Sequence, residues 1–217
     1  MTTHLEQELE DIKLKIFEMA DCAMEAIVSS IEALKNSDIK LAETIIKNDS
    51  VMDNLEIELD DECVKILVTR QPAAGDLRFI LAILKINTDL ERIGDLATNV
   101  AKETIRLDGQ QLVKSLVDIP RMAEIAISML KDVFRSITEK NVELAREIIQ
   151  RDEKVDELNL QVYRELFSFM AENPRNMSQC LGLIMVAKAL ERIGDHITNI
   201  GERAVYYIEG VDIRHAE

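Results

Sequence analysis

Leu90-Glu91-Arg92-Ile93-Gly94-Asp95 decides how this chain is read, because Leu190 to Asp195 spells the same six residues again. The match continues through Thr98-Asn99 and Thr198-Asn199. Each copy spaces Glu, Asp and Asn four residues apart, at Glu91, Asp95, Asn99 and at Glu191, Asp195, Asn199. Residues i, i+4 and i+8 share one face of a helix, so each copy presents a ridge of oxygen donors. Composition does not produce a six-residue identity at a separation of one hundred. The chain is a tandem duplication.

Outward from these copies the pattern is helical throughout. A largely apolar seam at Leu5, Leu9, Ile12, Ile16, Met19, Ala23, Ala26, Ser30 and Leu34 alternates steps of four and three. A second seam runs from Leu41 to Ile66 and a third from Ile80 to Thr104. Asn36-Ser37-Asp38 and Arg70-Gln71-Pro72-Ala73-Ala74-Gly75 separate them, with Asp76 as the expected cap of the third helix. From Asp118-Ile119-Pro120 the pattern replays: Met122 corresponds to Met19 and Leu144 to Leu41, and Pro174 takes the place of Pro72. The expectation is an all-α protein of two tandem antiparallel three-helix bundles, residues 1–109 and 110–217, joined by a linker from Asp108 to Val117. Few Gly and Pro, no Trp and an apolar share of 47% agree with a helical globular chain.

The formal net charge of -15 excludes a nucleic-acid surface, which needs clustered Lys and Arg, and disfavours direct docking on anionic lipid. Cys22, Cys63 and Cys180 show no CxxC spacing, as expected of a reducing cytoplasm. No signal peptide is visible, and the longest apolar run, Cys180 to Ala187, is far too short to span a membrane. Basic protein surfaces and metal cations are the natural partners.

One residue behind the second seam runs an acidic line, Asp49, Asp53, Glu56 and Asp60; its replay is Asp152, Asp156, Asn159 and Tyr163. Counting from a turn centred near Pro72 sets Asp53 level with Glu91 and Asp49 level with Asp95. Counting from Asn173-Pro174 sets Asp156 level with Glu191 and Asp152 level with Asp195. Asp21 and Glu25 come to the same height on the first helix, with Glu124 and Ser128 as counterparts. Four carboxylates at one level repel one another, and a bound cation would remove the conflict. All-oxygen donors suit hard ions such as magnesium, calcium, manganese or iron rather than zinc. The candidate ligands are therefore Asp49, Asp53, Glu91, Asp95, Asp152, Asp156, Glu191 and Asp195, with Asp21, Glu25, Glu124, Asn99 and Asn199 as additions. The bland alternative is a set of solvated acidic faces. Arg92 and Arg192 are expected to pair with neighbouring acids, Gly94 and Gly194 to allow close helix approach, His196 to pack, and Cys22 and Cys63 to lie in the core.

With RQPAAGDLR at Arg70 to Arg78, the duplicated ERIGD followed by Thr-Asn, and the pairs Asp49/Asp53 and Asp152/Asp156, the chain resembles the PhoU family over nearly its whole length. The second repeat departs from the pattern, with Glu172 to Ser178 replacing RQPAAGDLR. The resemblance implies two three-helix bundles, E/DxxxD metal motifs that bind multinuclear iron in some members, and frequent dimers. It further implies a cytoplasmic negative regulator acting between a phosphate ABC transporter and a phosphate-sensing histidine kinase. Two rivals remain: a purely structural helical scaffold, and a carboxylate-bridged di-iron enzyme. The latter needs Glu-x-x-His pairs, and none of His4, His196 and His215 stands three residues after a Glu. No nucleophile–base pair is visible, so a non-enzyme is expected.

Overall fold

The computed structural model describes residues 4–107 and 112–213. Among the described residues seven α-helices and one 3-10 turn succeed one another: α1 His4–Asn36, α2 Ile39–Arg70, α3 Ala74–Arg106, α4 Asp118–Glu139, α5 Val142–Arg151 and α6 Glu153–Glu172. The turn Pro174–Asn176 then leads into α7 Met177–Glu209. The expected boundary near Gly109, much of the linker and His215 lie outside the described residues.

Local chemistry sets the ends of these helices, and it too is duplicated. Ser37 turns the chain at φ 52° and Asp38 then caps α2, accepting from Leu41 N at 3.0 Å. Lys140 and Asn141 repeat this at φ 51° and 3.0 Å to Leu144 N. A short polar side chain in extended backbone supplies what the first free N–H groups lack. Asp76 does not cap α3 as expected. The helix starts three residues earlier, behind Ala73, which offers no side-chain bond, and Asp76 falls inside the first turn. Ala74 opens the helix at φ 34°, and the Asp76 carboxylate in the first turn meets the positive end of the dipole.

The expected fifth helix is divided at Asp152. Its backbone stays helical there, at φ -62° and ψ -34°, but Val155 N bonds Asp152 O, tightening one turn. The interruption coincides with two consecutive side chains that are both held. Arg151 reaches α4, and Asp152 presses against Gly194 of α7.

The three-helix units are not separate bodies. A contiguous cluster of buried residues includes Leu59 and Leu90 of the first unit with Leu166 and Leu190 of the second. The central contact is α3 against α7, running antiparallel: Phe79 meets Tyr207 at one end (ring centroids 5.4 Å apart), and Gly182 meets Glu103 and Arg106 at the other. Phe17 of α1 and Phe134 of α4 meet edge to face at 5.0 Å. Each unit buries one stripe within itself and a second against its copy, so the outer faces of α2/α3 and α6/α7 are left to carry charge. Among the described residues no helix is long and apolar enough to cross a membrane.

Candidate functional site

The α2/α3 hairpin gathers the first acidic face. Asp49 accepts from Thr98 Oγ1 at 3.0 Å. Burial pushes its carboxyl above the usual range; the Thr98 bond opposes this, and the charges of Asp95 and Asp53 add to it. Arg92 bridges the next two acids, with Nε 3.2 Å from Glu91 and Nη1 3.0 Å from Asp95. That pairing is the one expected for Arg92.

Glu91 is nevertheless pushed up to about 7, first by burial and then by the charge of Asp95, with Glu56 adding and Arg92 opposing. Counting set Asp53 opposite Glu91, whereas the α2 acid whose charge acts on Glu91 is Glu56, itself raised by burial and by Asp60. Asp60, last in the line, is held by Asn87 Nδ2 at 2.9 Å.

The α6/α7 hairpin builds the second face from Asp152, Asp156, Glu191 and Asp195. Asp152 is the most confined: its Oδ1 is buried without a hydrogen-bond partner, and its carboxyl is pushed up to about 6 by burial, then by Asp195 and Asp156. Asp156 and Asp195 are raised too, by burial first and then by Glu191. Asp195 thus acts on the charge of Asp152, and Glu191 on that of Asp156, the partners that counting along the helices paired. Here Lys188 replaces arginine as counter-charge, its Nζ 2.5 Å from both oxygens of Glu191.

The additional candidates are scattered. Asp21 and Glu25 on α1 and Glu124 on α4 are exposed, and exposed Asn99 accepts from Lys102. Asn199 turns away from the acids, donating to Asp89 Oδ1 at 3.2 Å, beside His196 Nδ1 at 2.8 Å from the same oxygen. This three-residue contact ties α3 to α7 and gives His196 its packing role. Asp89 was missed. The signal was the pair of exchanges between repeats, Leu96 for His196 and Ala189 for Asp89, both buried apolar residues in the equivalent places. Cys63 is buried as expected, but Cys22 is only half-buried and lines a cavity.

The donor chemistry fits a hard cation, and the partnerless Asp152 oxygen marks where one more positive charge would be welcome. As the side chains stand, no three His, Cys, Asp or Glu of the described residues converge to enclose an ion. Ligation would require the acids to swing away from Arg92 and Lys188.

The glycines separate the two faces in a measurable way. A methyl group at Gly94 would stand 3.0 Å from the mobile tip of Met52, whereas at Gly194 it would collide with Asp152 Oδ1. Gly194→Ala should lose about 1–3 kcal/mol through overpacking, despite gaining about 1 kcal/mol in helix propensity. Gly94→Ala should stay within about 1 kcal/mol of the parent. Urea midpoints of the two variants check this, and equal losses would contradict the difference in packing.

The PhoU domain profile matches twice, over residues 16–104 and 119–204. The chain belongs to the PhoU family. It is 40% identical over 209 residues to the phosphate-specific transport system accessory protein PhoU homolog of Aquifex aeolicus, covering 96% of this chain and 95% of that one. The Rhizobium meliloti homolog of the same name is 37% identical over 206 residues, covering 94% and 87%. The crystal structure of PhoU from Pseudomonas aeruginosa superposes with a TM-score of 0.91 at 34% identity, covering 96% of this chain and 100% of that one. The Streptococcus pneumoniae PhoU structure gives 0.89 at 26% identity, covering 96% and 99%. The PhoU fold and its two repeats thus account for the whole helical order described above.

Proposed function

We propose that this PhoU-family chain is a cytoplasmic adaptor that restrains phosphate uptake and starvation signalling, linking a phosphate ABC transporter to a sensor histidine kinase. The observation that carries the reading is the pair of equivalent acidic faces on a chain of net charge -15. Cytoplasmic loops of membrane proteins are rich in Lys and Arg, and opposite charge steers such surfaces together. Arg92 and Lys188 act as internal counter-ions, which a basic partner segment replaces when it docks. Two such faces suit a protein that engages two partners or works as a homodimer. The relatives are named accessory proteins, in keeping with a non-enzymatic role.

A hard cation can serve the same faces, held by Asp49, Asp53, Glu91 and Asp95 in one repeat and by Asp152, Asp156, Glu191 and Asp195 in the other. Such an ion would supply fixed positive charge between the acids, and the protein's part is to hold their carboxylates at one level. The metal-free reading is favoured by Arg92 and Lys188, which already neutralise part of each face. Elemental analysis of protein purified without chelator separates the two.

The adaptor reading is tested by charge reversal. Asp95→Lys with Asp195→Lys should weaken binding to the transporter or kinase cytoplasmic domains at least tenfold at low salt and flatten its salt dependence. Unchanged binding and unchanged salt dependence would sink the proposal.

A further inference from the structure

A cavity of about 290 Å³ opens between α1, α2 and α3, on the α1 side of Asp49. Ala26, Ile45, Val51 and Met52 form apolar walls, and Glu25 and Asp49 bring carboxylates. The duplication provides an internal comparison. With Met19 set on Met122 and Leu41 on Leu144, Asn48 corresponds to Arg151, Ser29 to Asp132, Glu25 to Ser128 and Ala26 to Met129.

In the second repeat the Arg151 side chain crosses from α5 to α4. Its Nη1 lies 2.6 Å from Asp132 Oδ2, and its Nη2 donates to Ser128 Oγ at 2.8 Å. Met129 beside it is fully buried. In the first repeat Asn48 is too short to make that crossing, and Ala26 leaves free what Met129 fills. The second repeat keeps an open groove of about 570 Å³ lined by Ile125, Ser128, Arg151 and Lys154, but Met129, Ile148 and Val155 do not line it, whereas Ala26, Ile45 and Met52 line the cavity of the first repeat. The lost Asp132 partner is offset by Glu25, so negative charge is kept where the cation is gone.

We propose that this cavity receives an arginine side chain presented by a partner protein, with the guanidinium on Glu25 and Asp49 and the methylene stem along Ile45 and Met52. A planar guanidinium matches carboxylates with two N–H groups at once, and its stem accepts apolar walls. The site deepens the adaptor reading, on which the protein nature of the ligand rests. It assigns a specific recognition pocket to the first repeat alone.

The probe is the peptide acetyl-Ala-Arg-Ala-amide, compared with its citrulline counterpart, which keeps the shape and removes the charge. Methyl NMR signals of Ile45 and Met52 should shift saturably with the arginine peptide, with at least tenfold weaker binding of the citrulline one. The double substitution Asn48→Arg with Ser29→Asp rebuilds the second repeat's plug, and should abolish the response and raise Tm. Glu25→Gln, at an exposed position, should fold as the parent and bind several-fold more weakly; it decides the matter if the plugged variant does not fold. Equal binding of the two peptides, or parental affinity in either variant, overturns the assignment. Loss of partner binding on Asp95/Asp195 reversal together with peptide failure removes the pocket alone. Peptide binding with an indifferent charge reversal removes the adaptor reading instead.

Discussion

Leu190→Ala should lower the free energy of unfolding by about 2–5 kcal/mol, and Leu90→Ala by a similar amount. Both leucines are 0% exposed, and both belong to the cluster that runs through the two repeats. Each truncation removes apolar contact and leaves a cavity that neighbouring helices fill only in part. The continuity of the core adds a second expectation. Phe17 on Phe134, and α3 along α7, make either repeat a poor body on its own, so urea should unfold both in one transition. Each variant should shift that single midpoint. Two separable transitions, with Leu190→Ala moving only one, would show that the repeats are independent domains.

The second large effect is on pH. Glu91 rises from its ordinary value of 4.5 to about 7, and Asp152 from 3.8 to about 6. Burial and neighbouring acids disfavour their charged forms, so the folded chain holds protons that the unfolded chain has released. Stability should therefore be greater near pH 4–5 and fall as pH rises through about 6 and 7. Asp49, Glu56, Asp156 and Asp195 shift in the same direction.

After discounting for solvent screening, Glu91 and Asp152 contribute on the order of 1–2 kcal/mol each to that decline. Glu91→Gln with Asp152→Asn should remove most of the slope and make the protein more stable than the parent at pH 8. Urea midpoints at pH 5 and pH 8 measure it, and a parent more stable at pH 8 would contradict the burial of these acids. Manganese or magnesium added at pH 8 separates the cation reading from the metal-free one: a bound ion stabilises the parent and leaves the double variant nearly unmoved, because binding to the folded state alone raises stability, whereas without a site neither moves.

Much of this was legible in order along the chain. Periods of three and four, the cap at Asp38, the prolines at 72, 120 and 174 and the repeated LERIGD are local signals, and the helices follow them. Counting also placed Asp152 opposite Asp195 and Asp156 opposite Glu191, because antiparallel helices rise equally from a shared turn. It did not single out Glu56, whose charge acts on Glu91 and whose place in the second repeat is taken by the uncharged Asn159.

Other features had no local signal. Arg151 reads as one more surface cation until α4 brings Asp132 and Ser128 within its reach. Asp89, His196 and Asn199 come from different repeats and meet only because α3 and α7 pack antiparallel. Cys22 sits at a helical seam position, yet it is left half-buried where Ala26 and Asn48 fail to fill the space between three helices.

The amino-acid sequence alone determined the helical class, the order of the helical stretches, the duplication and the family, because each depends on spacing within a few turns or on likeness between two stretches of chain. Tertiary structure alone decided that the repeats share one core, that Asp152 is pressed against Gly194 while Asp53 stays in water, and that Arg151 crosses to Asp132 and Ser128 in one repeat where Asn48 stands in the other. These depend on how helices are rotated and how closely they approach, and no periodicity along a single helix encodes what stands across from it.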